Sequence, residues 1–223
     1  YMAGRSGNRG ECAQPCRWKY NLVEEHRPGQ YMEIGETPDN GSYILNANDL
    51  CTAPFIDLIC KAGVDSLKIE GRAKTFYYVA SVVSAYRRAL DTFLADPYND
   101  NFELPDAVIE ELNRTSHRHY SPGFYFGKEQ AQQTPSHTYV RDWDFIGTVE
   151  SWENGIAHCT QRGKFTAGDS IEILQPDGSV IPLAPAWIEN ADGERVDATP
   201  HPMMQYTIPC EAPLMPYSLI RMQ

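Results

Sequence analysis

Residues 64–70 read VDSLKIE, and this short stretch decides the fold class that the sequence predicts. It has the alternation of a β-strand, in which successive side chains point to opposite faces. Leu67 and Ile69 then face a covering layer of helices, while Lys68 and Glu70 point the other way. An open doubly wound sheet would bury both faces and would favour apolar residues on each of them. A polar face close to the carboxyl end of a strand is instead typical of the mouth of a TIM-like (β/α) barrel, where active sites lie.

A second strand-and-helix unit precedes this one. Residues 42–46 (SYILN) predict a strand, and Asn48 or Asp49 is placed to cap a helix that ends before Gly63. Residues 75–96 predict a long amphipathic helix after the second strand. Strand–helix–strand–helix is the unit of a parallel α/β sheet or barrel. Two such units cannot close a barrel, so we expect the remaining strands to lie upstream in a longer chain.

The pattern changes after the second helix. Residues 97–136 predict a connector that contains one short helix starting at Pro105. From there to the end, short alternating segments separated by Gly-containing turns predict a small antiparallel β-domain, residues 137–223, which is a β-barrel or a sandwich; we take the barrel as the prediction. The strand candidates are residues 145–150, 155–160, 170–174, 180–183, 205–208 and 217–221. The sequence thus predicts an α+β chain in which residues 1–96, with a cysteine-rich loop, are the C-terminal part of the barrel.

Composition limits the classes of function. The 223 residues carry a formal net charge of -11, which argues against a broadly basic surface that coats nucleic acid. There is no signal-peptide pattern and no apolar run long enough to span a bilayer, so we expect a cytoplasmic protein without a membrane partner. The first residues are nevertheless locally basic. Arg5, Arg9 and Arg17 could bind RNA phosphate or a dicarboxylate, or could simply be solvated in a loop.

Six cysteines are present, and the absence of a secretion signal favours free thiols over disulfides. Cys12, Cys16 and Cys51 are candidate iron ligands, because thiolates bind iron well and cluster sites use several cysteines. We expect Cys51 in the first turn of its helix, where free N–H groups and the helix dipole stabilise a thiolate. The alternative is that all three are ordinary buried thiols. Three further cysteines, which lie among apolar or strand residues, are predicted core thiols: Cys60, Cys159 and Cys210.

Several stretches together resemble the peptidase U32 family. They are residues 8–20 (NRGECAQPCRWKY), 43–51 (YILNANDLC), 62–72 (AGVDSLKIEGR), 77–88 (YYVASVVSAYRR) and 120–127 (YSPGFYFG), with support from 166–174 (TAGDSIEIL). The family name comes from collagenase-like activity. The resemblance nevertheless implies hydroxylation, most directly of a wobble uridine in tRNA, with relatives that act on ribosomal RNA and on ubiquinone precursors.

The same resemblance implies cofactors and partners. Members of this kind carry a [4Fe–4S] cluster held by four cysteines, and the tRNA branch draws on prephenate as co-substrate. Two of the ligands precede the match to Asn8, so this chain would hold an incomplete set. Cys12 and Cys51 would be the remaining pair, with Cys16 as a close alternative to Cys12. RNA, and tRNA in particular, is the expected partner of the full-length protein.

Other functions stay open at this point. Lys68 and Glu70 are candidate catalytic residues and Arg72 a candidate substrate ligand, although the first two could equally form a structural ion pair. A peptidase would need a nucleophile with its base or a metal with its water, yet no Gly-x-Ser-x-Gly or His-Glu-x-x-His motif occurs. His117 and His119 are predicted surface groups in a polar turn. A third possibility is a non-catalytic module that binds RNA or protein.

Overall fold

The computed structural model describes residues 10–14, 18, 21–23, 25–26, 28–29, 32–33, 48–127 and 139–223. The chain divides into two compact units, Tyr1–Ala47 with Gln132–His137, and Asn48–Ala131 with Thr138–Gln223. The described part of the first unit contains a short antiparallel pair, β1 (Asn21–Leu22) and β2 (Met32–Glu33). The predicted strand at residues 42–46 lies outside the described residues. None of the described helices has the length and apolar character that a membrane crossing requires.

The second unit begins with its helical part. Its elements are β3 (Asp49–Leu50), a 3-10 helix (Ala53–Phe55), α1 (Ile56–Lys61), α2 (Phe76–Ala95), α3 (Asp106–Asn113) and β4 (Tyr120–Ser121). The strands β3 and β4 pair in parallel, although 69 residues separate the bonded residues Asp49 and Arg118. The three helices enclose a small core that includes Ile56, Ala85 and Leu112.

The long helix α2 confirms the prediction for residues 75–96. Thr75 is its N-cap, and its hydroxyl accepts a hydrogen bond from the backbone N–H of Tyr78 at 3.2 Å. Such a bond satisfies one of the amide groups that the first turn leaves unpaired. The predicted apolar side is only partly buried, because Val79 and Val83 are exposed. The helix buries the small residues Ala85 and Ala89 instead, which lets α1 and α3 approach closely.

The stretch at residues 64–70 is not a strand, which corrects the prediction. Its side chains alternate as expected, since Leu67 and Ile69 pack on the helical core while Lys68 and Glu70 are exposed. No neighbouring strand pairs with it in the described part of the chain. A strand is defined by its ladder of hydrogen bonds, so the alternation alone does not make one. The predicted helix end at Gly63 is confirmed by its φ of 79°.

The C-terminal part is one antiparallel sheet of eight strands, ordered β10-β9-β11-β6-β5-β12-β7-β8. The strands are β5 (Asp144–Glu153), β6 (Ile156–Gln161), β7 (Ile171–Leu174), β8 (Val180–Leu183), β9 (Ile188–Asn190), β10 (Arg195–Val196), β11 (Gln205–Pro209) and β12 (Leu219–Met222). The six predicted strands are all present within a few residues of their predicted bounds. The division into domains at residue 137 stays a prediction.

The sheet does not close into a barrel, which corrects the second fold prediction. One edge strand, β8, contains Pro182, which has no N–H to donate to a further strand. The other edge strand, β10, is only two residues long. Short edges and an edge proline both limit further pairing. The sheet therefore ends at two edges and packs its inward residues around one core that includes Ile146, Ile173 and Ile208.

Aromatic side chains join the helical part to this sheet. The ring of Tyr77 on α2 is stacked on that of Phe145 on β5, with centroids 5.2 Å apart and planes 9° apart. Phe76 meets the same ring edge-on at 4.9 Å. Such pairs add to the hydrophobic gain from burial itself. The N-terminal turn of α2 is thus fixed against the first strand of the sheet.

Candidate functional site

Cys51 lies directly after β3, not in the first turn of a helix as the sequence suggested. Its backbone N–H donates to the carbonyl of Ser121 at 3.0 Å, so this amide belongs to the pairing of β3 with β4. The 3-10 helix starts at Ala53 and α1 only at Ile56. The N–H of Cys51 is therefore not one of the free helix-terminal amides that were expected to stabilise a thiolate.

The surroundings of Cys51 favour a neutral thiol in the chain alone. The residue is buried, and this burial raises the pKa of its thiol despite a lowering contribution from the backbone of Ala53. The Tyr86 hydroxyl lies 3.9 Å from its sulfur and accepts a hydrogen bond from the N–H of Thr52 at 2.9 Å. Burial also raises the pKa of Tyr86, to about 12. The expected position in a first helical turn is thus wrong, while ligation by Cys51 stays a prediction.

An ion pair stands beside this cysteine. The Nε of Arg118 donates to Oδ1 of Asp49 at 3.1 Å, and the backbone N–H of Arg118 donates to Oδ2 at 2.9 Å. Both side chains are partly exposed, at 32% for Arg118 and 19% for Asp49. A carboxylate held by two donors from one residue is fixed in orientation. Asp49 precedes Cys51 by two residues, so this pair and the thiol occupy the same end of the β3–β4 ladder.

A lysine and two tyrosines complete the surroundings. The Nζ of Lys74 donates to the carbonyl of Ser116 at 2.8 Å and lies 4.9 Å from the ring centroid of Tyr78 and 4.7 Å from that of Tyr139. Burial lowers the pKa of Lys74, while the charge of Asp49 opposes this change. We call Lys74, Tyr78, Arg118 and Tyr139 the lysine–tyrosine cluster. Sequence reasoning missed it, because its members are far apart along the chain.

The other predicted site residues are not brought together. Lys68, Glu70 and Arg72 are exposed, and Glu70 Oε1 accepts a hydrogen bond from the backbone N–H of Arg72 at 2.9 Å. No ion pair joins Lys68 to Glu70 in the described part of the structure. Cys12 is exposed, in the first unit. Four candidates fall outside the described residues: Arg5, Arg9, Cys16 and Arg17.

A complete metal site is not present among the described residues, in which no three His, Cys, Asp or Glu side chains are grouped to hold an ion. The donors that the structure describes therefore do not make up the ligand set of a [4Fe–4S] cluster, which needs four thiolates or their equivalents. The core-thiol prediction is confirmed for Cys159 and Cys210, which are buried, while Cys60 is half-buried against the helical core.

His117 corrects the expectation of a surface group. It is buried and its ring stacks on that of Tyr120, with centroids 4.1 Å apart. Its backbone pairs with Val140 in both directions, at 3.2 and 2.8 Å. His117 is thus buried, while His119, two residues later, is exposed as predicted. Residues 117–127 are rich in aromatic side chains, which favours burial, although the polar residues among them suggested a surface turn.

Comparison with known proteins identifies the family. The model of peptidase family U32 matches residues 1–135, and that of the peptidase family U32 C-terminal domain matches residues 141–221. The chain belongs to peptidase family U32. The resemblance seen in the sequence is thereby confirmed, and the U32 chain carries both of the family's regions in order.

Curated relatives of this U32 chain bear two kinds of name. The tRNA hydroxylation protein P1 of Bacillus subtilis is 31% identical over 99% of the chain and 52% of its own length. The tRNA hydroxylation protein P of Escherichia coli is 30% identical over 90% of the chain and 52% of its own length. A collagenase of Porphyromonas gingivalis is 31% identical over 79% of the chain and 42% of its own length. The chain spans about half the length of these relatives.

A solved structure is also similar. The C-terminal domain of a Geobacillus thermoleovorans U32 peptidase homologue is 31% identical and covers 35% of the chain and 99% of the solved domain, with a TM-score of 0.34.

Proposed function

We propose that the protein to which this chain belongs hydroxylates tRNA at a wobble uridine. The observation that carries the proposal is the alignment with the Bacillus subtilis tRNA hydroxylation protein P1, which extends over 99% of the chain and so includes both U32 regions. The alignment with the Porphyromonas gingivalis collagenase extends over 79% of the chain. A tRNA substrate also makes the cytoplasm the expected compartment and tRNA the expected partner.

The proposed cofactor is a [4Fe–4S] cluster held by the full-length protein, with Cys51 and Cys12 or Cys16 among its ligands. The chemical support is that Cys51 lies directly after a strand beside fixed polar groups, with the Tyr86 hydroxyl 3.9 Å from its sulfur and the backbone of Ala53 as a second hydrogen-bond partner. Binding to iron would replace the thiol proton that burial favours. The described donors are too few for a cluster, so no reaction step is assigned to it. Prephenate is the proposed co-substrate.

We also propose that a longer chain completes a TIM-like barrel around β3 and residues 64–70. Large apolar side chains on the helical part are exposed here, including Leu50, Val79 and Val83. Lys68 and Glu70 are exposed and stay candidate catalytic residues, with Arg72 as a substrate ligand. The basic residues Arg5, Arg9 and Arg17 stay proposed contacts to RNA phosphate or to the co-substrate.

Peptidase activity is the second candidate, favoured by the collagenase name of one relative. The one adjacent Cys/His pair among the described residues does not support it. His158 and Cys159 are adjacent on β6, but the histidine is exposed while the thiol is buried, because they point to opposite faces of the strand. A nucleophile and its base must lie within hydrogen-bond reach.

The test is a gene deletion followed by mass spectrometry of tRNA nucleosides. Loss of the hydroxylated wobble uridine, restored by the wild-type gene, is the expected result. The purified full-length protein is then assayed on gelatin. Unchanged tRNA in the deletion strain together with gelatin cleavage would overturn the proposal in favour of the peptidase.

A further inference from the structure

The hydroxyl of Tyr86 on α2 contacts two consecutive residues of the candidate site. It accepts a hydrogen bond from the backbone N–H of Thr52 at 2.9 Å, and it lies 3.2 Å from the Thr52 side-chain hydroxyl and 3.9 Å from the sulfur of Cys51. These contacts join residues that are 34 and 35 positions apart in the chain. One phenolic oxygen on a helix thus holds the segment that directly follows β3.

The backbone at Cys51 is held from two directions. The N–H of Cys51 donates to the carbonyl of Ser121 on β4 at 3.0 Å, and the next N–H, that of Thr52, donates to Tyr86 on α2. Thr52 is also the N-cap of the 3-10 helix that follows. Tyr86 is therefore the acceptor for the amide between the end of the β3–β4 ladder and the first helical turn. A partly buried N–H without an acceptor would destabilise this junction.

The phenolic proton of Tyr86 is available to the sulfur of Cys51. Either hydroxyl of the Tyr86–Thr52 pair can donate to the other, and when Thr52 donates, the phenolic proton is left for the sulfur. An O–H···S contact of 3.9 Å is long for a neutral thiol. A sulfur bound to iron carries negative charge, and hydrogen bonds to charged acceptors are shorter and stronger. Partners of this kind orient the ligands of metal sites.

We propose that Tyr86 is the positioning residue of Cys51, because it fixes the backbone through Thr52 and directs a hydrogen-bond donor at the sulfur. The tyrosine binds no iron in this proposal and acts only through the cysteine. Hydrogen bonds to the ligand sulfurs stabilise a reduced cluster and so raise its reduction potential. The effect on the cluster rests on the proposed ligation of iron by Cys51, whereas the effect on the backbone needs no metal.

The first test is hydrogen exchange in the full-length protein with Tyr86→Phe, followed at single amides by mass spectrometry with fragmentation. Exchange at the Thr52 amide is expected to become at least about fivefold faster, because its acceptor is removed. Exchange at the Cys51 amide is expected to stay as in the wild type, because its bond to Ser121 is unchanged. Circular dichroism melts check that the variant is folded.

The second test is the reduction potential of the iron-loaded full-length protein, purified without oxygen. Tyr86→Phe is expected to retain iron and to shift the potential to more negative values, because the donor to the sulfur is lost. Tyr120→Phe is the matched control, since Tyr120 is half-buried against the same helical core and its hydroxyl donates to the carbonyl of Leu112 at 3.0 Å. This control is expected to keep the wild-type exchange at Thr52 and the wild-type potential.

The outcomes separate this inference from the proposed function. Unchanged exchange at Thr52 in folded Tyr86→Phe protein would overturn the positioning role, and an unchanged potential would overturn the hydrogen bond to the sulfur. Equal acceleration at Cys51 and Thr52, or the same changes in Tyr120→Phe, would also overturn the inference, since Tyr86 would then act through general packing. A wild-type protein that binds no iron and leaves tRNA unmodified would contradict the proposed function, while the exchange at Thr52 would still decide whether Tyr86 positions Cys51.

Discussion

Arg221 in the last strand and Glu111 in α3 form a fully buried ion pair. Nη1 of the arginine donates to Oε1 at 2.6 Å and Nη2 donates to Oε2 at 3.0 Å, and the two side chains are 0% and 1% exposed. Glu172 on β7 accepts from the same guanidinium at 2.9 Å. Burial lowers the pKa of Arg221, but the bonds to Glu111 outweigh this and raise it. The pair thus joins the helical part to the sheet.

Arg221→Met should destabilise the chain strongly. It leaves the buried Glu111 carboxylate with only the longer ion pair of 3.7 Å to Arg114 among the described contacts. Removing one partner of a buried pair costs about 3–5 kcal/mol in other proteins. The free energy of unfolding in urea measures the loss. Arg87→Met is the matched control, because Arg87 and Asp91 form an equally short pair of 2.6 Å that is more than half exposed. The Arg87→Met control should lower the free energy of unfolding by no more than about 0.5 kcal/mol. Equal losses in the two variants would contradict the structural role of Arg221.

Ser81→Ala should raise stability. The Ser81 side chain is completely buried on α2, and its hydroxyl makes no hydrogen bond of ordinary geometry among the described residues, although it lies close enough to Tyr77 to lower the pKa of that phenol. Alanine removes the cost of burying an unpaired hydroxyl, about 1 kcal/mol, and its higher helix propensity adds about 0.5 kcal/mol of stability. Ser84→Ala on the same helix separates the two effects, since Ser84 is only half-buried and should gain the propensity alone. Chemical denaturation of both variants provides the comparison, and a loss of stability in Ser81→Ala would show that its hydroxyl is bonded.

Alkaline pH should destabilise the sheet through Cys159. Burial raises the pKa of this thiol, so the unfolded chain loses the proton first as pH rises above about 8.5. Stability is therefore fully present below that pH and falls above it. Cys159→Ala should show a shallower fall in the free energy of unfolding between about pH 8 and pH 11.

Alkylation gives an independent check of the same thiol. In the native chain, the exposed Cys12 should react at once, while Cys159 should react only on unfolding. Native-state alkylation of Cys159 at the rate of Cys12 would show that its strand opens readily.

Local signals in the sequence were enough for elements that need no distant partner. Thr75 marked the start of α2, because a hydroxyl placed before an amphipathic run caps its own helix. The turn with Asn154 and Gly155 marked the first hairpin, and both residues have positive φ angles of 50° and 84°. The turn at residues 191–193 was also predicted, but the two strands that flank it, β9 and β10, were missed. This turn is held by the Asn190 side chain, which accepts from two backbone N–H groups, and the residues of its hairpin are mostly polar.

The parts that failed depend on contacts between remote segments. Residues 64–70 alternate like a strand but have no pairing partner in the described chain. Cys51 was expected in a helix, yet its backbone N–H pairs with the carbonyl of Ser121 in a distant segment of the chain. Lys74 and Tyr139 likewise meet only in the fold. Cys51 could be named as a candidate from the sequence, because thiols have few roles in proteins. Lys74 and Tyr139 could not, because lysine and tyrosine are common surface residues and these two have no distinctive spacing.

The most direct test of the account concerns Cys51. A strain that lacks the gene is complemented with the full-length gene carrying Cys51→Ser or Cys60→Ser, and wobble uridines in tRNA are measured by mass spectrometry. Protein levels are matched by immunoblot, and iron is measured in protein purified without oxygen. We expect the Cys51→Ser protein to lose both iron and the hydroxylated nucleoside, whereas Cys60→Ser, a half-buried neighbour on α1, retains both. Full modification by the Cys51→Ser protein would contradict the account.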